Sequence, residues 1–149
     1  MNEQAKRLYN NLLTLSWYFS DQCHSGKGCD SGECDDFSLI DFLAMRVIDK
    51  QQNCPVQAIG KALGITKSGA TRVVKRLEKR GLVAMKSSTE DARIRSLCLT
   101  ESGQDCMNSV NRYQADSMSE LLSSMGEEKS RQFDEGLQAL MAILQEKSG

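Results

Sequence analysis

The chain has 149 residues, 40% of them hydrophobic and 26% charged, with a single proline and a formal net charge of −1. That length suffices for one domain with a real core. No stretch approaches the roughly 20 apolar residues of a membrane span, and the opening MNEQAKRLYNN lacks an apolar signal region, so a cytoplasmic protein is expected.

Long periodic runs predict a mainly α-helical fold. Residues 3–22 read as a first helix, with Leu8, Leu12, Leu15 and Phe19 spaced 4, 3 and 4 apart, broadened by Tyr9, Leu13 and Trp17. A stripe this wide implies burial against two neighbours, one of them a second subunit. Residues 22–36, QCHSGKGCDSGECDD, read as a loop without an aliphatic side chain. A helix over about 37–51 follows, capped by Asp36 or Ser38, with Leu39, Ile40, Leu43 and Val47 as its buried face.

Residues 55–82 hold the central feature, two helices around a tight turn. Pro55 opens the first, which turns Val56, Ile59, Ala62 and Leu63 inward, and Gly64 supplies the positive φ of the turn. Thr66 caps the second, predicted over 67–80 and stopped by Gly81. Its inner face is Ala70, Val73, Val74 and Leu77, and Lys67, Ser68, Thr71, Arg72, Lys75, Arg76 and Lys79 lie on or around the other. A helix apolar within, and Lys-, Arg-, Ser- and Thr-bearing without, suits the DNA major groove.

Residues 83–86 and 93–99 then read as a β-hairpin, because Ile94, Ser96 and Cys98 alternate with Arg95, Leu97 and Leu99. Lys86, Arg93 and Arg95 flank its tip, where an arginine can enter a narrow minor groove. Asp91 is spaced to hold the Arg93 guanidinium in one orientation. Thr100 caps a long helix over about 101–124, and a last helix covers 127–147. These end helices carry more apolar surface than a small winged domain can cover, so a homodimer is expected.

Charge agrees with this division. Residues 57–95 hold ten Lys or Arg against three acids, a balance of +7, and the remainder of the chain carries −8. A cationic segment within an acidic chain is the electrostatic footprint of nucleic-acid binding. No Ser/His/Asp constellation, phosphate-binding glycine loop or dinucleotide fingerprint is present, so an enzyme is not expected.

The order of parts resembles the MarR family of bacterial winged helix-turn-helix regulators over essentially the whole chain. The resemblance is carried by ITKSGATRVVKRLEKRGLV (65–83), EDAR (90–93) and LTESG (99–103). It implies a mainly α fold with a hairpin wing, in which residues 36–100 form the DNA-binding region and 1–35 with 101–149 the dimerisation helices and cysteine loop. It further implies a homodimer on double-stranded DNA at a pseudo-palindromic operator, more often as a repressor. Base or phosphate contacts then fall to Lys67, Ser68, Thr71, Arg72 and Arg76, and the minor-groove contact to Arg93 steered by Asp91. Ala92 and the pair Ala84-Met85 stand where relatives commonly carry basic residues, which thins the phosphate contacts near the wing.

Six cysteines need an account in a chain of this kind. Cys54, Cys98 and Cys106 read as small packing residues. Cys23, Cys29 and Cys34 lie in a hydrophilic stretch with no core to fill. Three thiolates there suit an iron–sulfur cluster, zinc or arsenite, with His24, Asp30, Glu33, Asp35 or Asp36 as an extra ligand. A thiol redox pair without a bound centre is the alternative. Either makes this stretch the sensor of the regulator. Two other functions stay open: a regulator answering a small aromatic ligand with the cysteines uninvolved, and a redox or electron-transfer protein using the cysteine loop.

Overall fold

The computed structural model describes residues 2–24, 37–51, 53–87 and 95–148. Within them the order is α1 (Glu3–His24), α2 (Leu39–Lys50), α3 (Val56–Leu63), α4 (Lys67–Lys79), β1 (Val83–Ser87), β2 (Arg95–Leu99), α5 (Glu101–Met125) and α6 (Glu127–Ser148). The expected helices and hairpin are all present. α1 runs two residues further than expected, so the backbone of Cys23 and His24 is helical.

Local chemistry sets each boundary. α2 starts in a capping box: Ser38 Oγ accepts the Asp41 N–H at 3.2 Å, and Asp41 Oδ2 accepts the Ser38 N–H at 3.1 Å. α3 ends on Gly64 at φ 64°, whose N–H bonds the Gly60 carbonyl. Thr66 Oγ1 then accepts the Gly69 N–H at 3.1 Å and opens α4. A Cβ at Gly69 would lie 3.2 Å from that capping hydroxyl, a tight contact. Thr100 opens α5 by accepting the Gly103 N–H at 3.0 Å, and its own hydroxyl donates to the Gly81 carbonyl.

The strands pair antiparallel from Val83↔Leu99 to Ser87↔Arg95. A third extended piece, not expected from the sequence, joins them where the Leu97 N–H donates to the Cys54 carbonyl at 2.8 Å. One isolated residue carries no period-two pattern, so alternation cannot reveal it.

Two compact units divide the chain, Met1–Asn111 and Arg112–Gly149. The core of the first gathers Phe42, Met45 and Ile48 from α2, Ile59 from α3, Ala70, Val73, Val74 and Leu77 from α4, Val83 and Leu97 from the hairpin, and Cys106, Met107 and Val110 from α5. Ala44 of α2 with Phe37, Cys54 and Leu82 complete it. The tightest seam is backbone on side-chain space: a Cβ at Gly103 would lie 2.0 Å from the Leu82 carbonyl oxygen. By contrast Leu8, Tyr9, Leu12, Leu13, Leu15 and Trp17 of α1 are all exposed, Trp17 by 76%. In the second unit no described α6 side chain is buried, and Phe133, Leu137, Leu140 and Met141 stand in solvent.

Candidate nucleic-acid interface

The α3–turn–α4 pair is built so that one side of α4 cannot turn outward. Ala70, Val73, Val74 and Leu77 recur at helical spacing and are all buried, which fixes the opposite face in solvent. On that face Lys67, Ser68, Arg72 and Lys75 are exposed and Thr71 is half-buried. Among the described residues none of Lys67, Arg72, Lys75 and Lys86 takes part in a salt bridge. Three exposed cations of one helix face, Lys67, Arg72 and Lys75, with no carboxylate partner among the described residues, make a surface that attracts a polyanion.

The hydroxyls of the same face are already oriented. Ser68 Oγ lies 3.1 Å from Thr66 Oγ1, and Thr71 Oγ1 donates to the Lys67 carbonyl at 2.9 Å. With its proton so placed, Thr71 offers lone pairs outward, as a base amino group requires. Lys86 is a further exposed cation near the end of β1, where its pairing with Ser96 fixes the register.

Arg76 is different from its neighbours. Its Nε donates to Asp41 Oδ1 at 3.0 Å, and its Nη2 makes a short ion pair with the same oxygen. The Asp41 side chain is 1% exposed and that of Arg76 is 47% exposed. Asp41 was not foreseen as a partner. It sits 35 residues earlier, and sequence spacing carries no information on a pairing across helices; the only local signal, Ser-x-x-Asp, reports the cap. The Arg80 guanidinium carbon lies 5.8 Å from the centre of the Phe37 ring, a second cationic link between the same two regions.

Several expected site residues fall elsewhere. Asp91 and Arg93 lie outside the described residues, and of Arg95 only its place opening β2 is given. Cys29, Asp30, Glu33, Cys34, Asp35 and Asp36 also lie outside them, as do the side chains of Cys23 and His24. Among the described residues no three His, Cys, Asp or Glu side chains are placed to hold a metal. Cys54 is fully buried and Cys98 half-buried; both thiols are free. Cys106, expected only to pack, does lie in the core at 2% exposure, but it is also disulfide-bonded, and neither Cys54 nor Cys98 is its partner. A lone cysteine near a helix start gives no sign of that bond.

A helix-turn-helix followed by a hairpin whose root is tied to the segment before the first helix defines a winged-helix protein. Comparison with known proteins agrees. Residues 37–94 match the MarR family. The chain is 30% identical over 105 residues to the Escherichia coli transcriptional repressor MprA, a match covering 69% of this chain and 60% of MprA. In fold it is similar to Streptococcus pneumoniae FabT in complex with DNA, with a TM-score of 0.76, 20% identity, and 95% and 98% of the two chains covered. It is similar also to a MarR/EmrR family transcriptional regulator from Acinetobacter sp. ADP1, at TM-score 0.69, 22% identity, and 96% and 95% coverage. Among the described residues no helix is long and apolar enough to cross a membrane.

Proposed function

We propose that this protein is a dimeric DNA-binding transcription regulator, more often acting as a repressor, and not an enzyme. The observation that carries this reading is the outer face of α4, where Lys67, Arg72 and Lys75 stand exposed without acidic partners beside two oriented hydroxyls. The likeness to a repressor and to a fold solved on DNA supports it. Two copies would cover the apolar faces of α1 and α6 and set two recognition helices on successive half-sites of a pseudo-palindromic operator. The test is fluorescence anisotropy against genomic fragments in increasing salt: log affinity should fall linearly with log salt concentration. Binding that is absent at low salt in every redox and metal state overturns the reading.

We further propose that the cysteine segment regulates that binding. Cys23 belongs to the last turn of α1, part of the suggested dimer surface, and Cys29 and Cys34 fall in the sequence between α1 and α2, which packs against α4. The disulfide at Cys106 favours thiol chemistry, while an iron–sulfur cluster, zinc or arsenite remains a chemical fit for three thiolates. Metal analysis and an absorption spectrum of protein purified without oxygen separate these. Cys23→Ser, Cys29→Ser and Cys34→Ser proteins that match wild type in DNA affinity under every metal and redox condition would refute the proposal.

One observation favours a second trigger. Ser20, Ser38, Leu39, Ile40, Gly69, Arg72, Val73 and Arg76 line a groove of about 500 Å³, a volume suited to a small ligand. Calorimetric titration with phenolic acids tests this reading, and a Cys-free variant that still responds to them would assign the sensing to the groove.

A further inference from the structure

The recognition helix is fastened at its C-terminal half to the first residues after the cysteine segment. Arg76 grips Asp41 through Nε and Nη2, both on Oδ1. The other oxygen, Oδ2, accepts the Ser38 N–H at 3.1 Å and the Ser38 hydroxyl at 2.7 Å. Both carboxylate oxygens are thereby occupied, and among the described residues no buried side-chain polar atom lacks a partner. An N-terminal cap does not require a buried acid, since the same bonds form at the surface. Burying a carboxylate is unfavourable unless a cation is held against it in good geometry. The buried position of Asp41 thus has its reason in Arg76, not in the cap.

On the other side of that pair, Arg76 is half exposed and lies four residues after Arg72, on the same helical face. Its Nη1 has no protein partner among the described residues. We infer that Asp41 is a positioning residue for DNA binding: it locks the Arg76 guanidinium so that its exposed edge is presented, beside Arg72, to a backbone phosphate. A free arginine would lose rotamer freedom on docking, whereas this one is ordered beforehand. Ser38 ties the same carboxylate to the start of α2, so the aim of Arg76 depends on the segment that follows the cysteines. The inference rests on the operator-binding reading above.

The experiment measures affinity and its salt dependence on a genomic fragment selected by the wild-type protein, for Asp41→Asn, Arg76→Gln and the double variant, with a thermal melt of each. Arg76→Gln alone leaves Asp41 buried and unpaired and can fail to fold; the double variant removes that orphaned charge, and Asn still accepts from Ser38. The double variant should bind about tenfold more weakly, with a log–log salt slope shallower by about 1, as expected for one lost phosphate contact. Asp41→Asn alone, with the arginine kept but released, should weaken binding severalfold at nearly unchanged slope. Adding it to Arg76→Gln should bring no further loss of affinity. Wild-type affinity for Asp41→Asn, whatever its melting temperature, would overturn the inference. So would equal weakening by Asp41→Asn with and without Arg76. A wild-type protein that binds no fragment would instead bring down the operator-binding reading itself, and this inference with it.

Discussion

Single residues in this protein are constrained for reasons that differ sharply from one position to the next. Gly103 has no room: the Leu82 carbonyl oxygen occupies the place of its Cβ, 2.0 Å away. Backbone cannot swing aside as a flexible side chain does, so Gly103→Ala should lower stability by at least about 2 kcal/mol, read from urea unfolding. Cys54 is limited by burial, which pushes its thiol above the ordinary range. The folded state then favours the neutral thiol, and the stability so contributed is whole below the ordinary thiol pKa and is lost as pH rises through the raised value. Unfolding of wild type and Cys54→Val should therefore run parallel near neutrality and converge or cross only in alkali, with wild type declining more steeply. Residue chemistry was only partly legible in advance. The outer face of α4 follows from 3.6-residue spacing, so Lys67, Ser68, Arg72 and Lys75 were identifiable. The Arg76–Asp41 pair and the Cys106 disulfide were not, because both join residues that only the tertiary fold brings near.

At the scale of elements the sequence is more transparent. Amphipathic periods and caps placed the helices within about two residues, and three starts rest on a local bond: Ser38 with Asp41, Thr66 with Gly69, Thr100 with Gly103. The faces were less legible. α2 buries Phe42, Ala44, Met45 and Ile48 and leaves the expected Leu39, Leu43 and Val47 half-buried and Ile40 exposed. Ala62 of α3 is exposed as well, because apolar residues stand all round these helices and tertiary packing chooses among them. The Cys54–Leu97 bridge escaped notice because a one-residue strand has no pattern of its own. The caps also predict graded effects. Thr66→Ala removes the hydroxyl that receives the Gly69 N–H and should reduce stability by about 1 kcal/mol. It should weaken DNA binding as well, since it frays the first turn of α4, where Lys67 and Ser68 are carried. Thr66→Ser keeps the acceptor and should restore most of both in paired melting and anisotropy measurements.

For the molecule as a whole, charge and hydrophobicity are separated along the chain. Residues 57–95 carry +7 and the remainder −8, while the first and last helices display leucines, methionines and aromatic rings that one chain leaves in water. The dimer reading makes both features necessary, one for contact with phosphate and the other for pairing. Leu137→Glu, on a residue 42% exposed in the single chain, should leave the winged unit folded but shift sedimentation toward the monomer. Operator affinity should fall by about 100-fold, since each copy would then hold one half-site without the effective concentration supplied by its partner. Retention of dimer mass and affinity would place the pairing surface elsewhere.

The seam between Leu82 and Gly103 has a bearing on how this protein tolerates change. There the root of the wing and the first turn of α5 meet main chain to main chain, beside the Thr100 hydroxyl that bonds the Gly81 carbonyl, so their registration takes little from the side chains deeper in the core. A library randomising Met107 and Val110 should yield many variants that melt early yet protect the same bases in a footprint. Randomising position 103 should yield almost none.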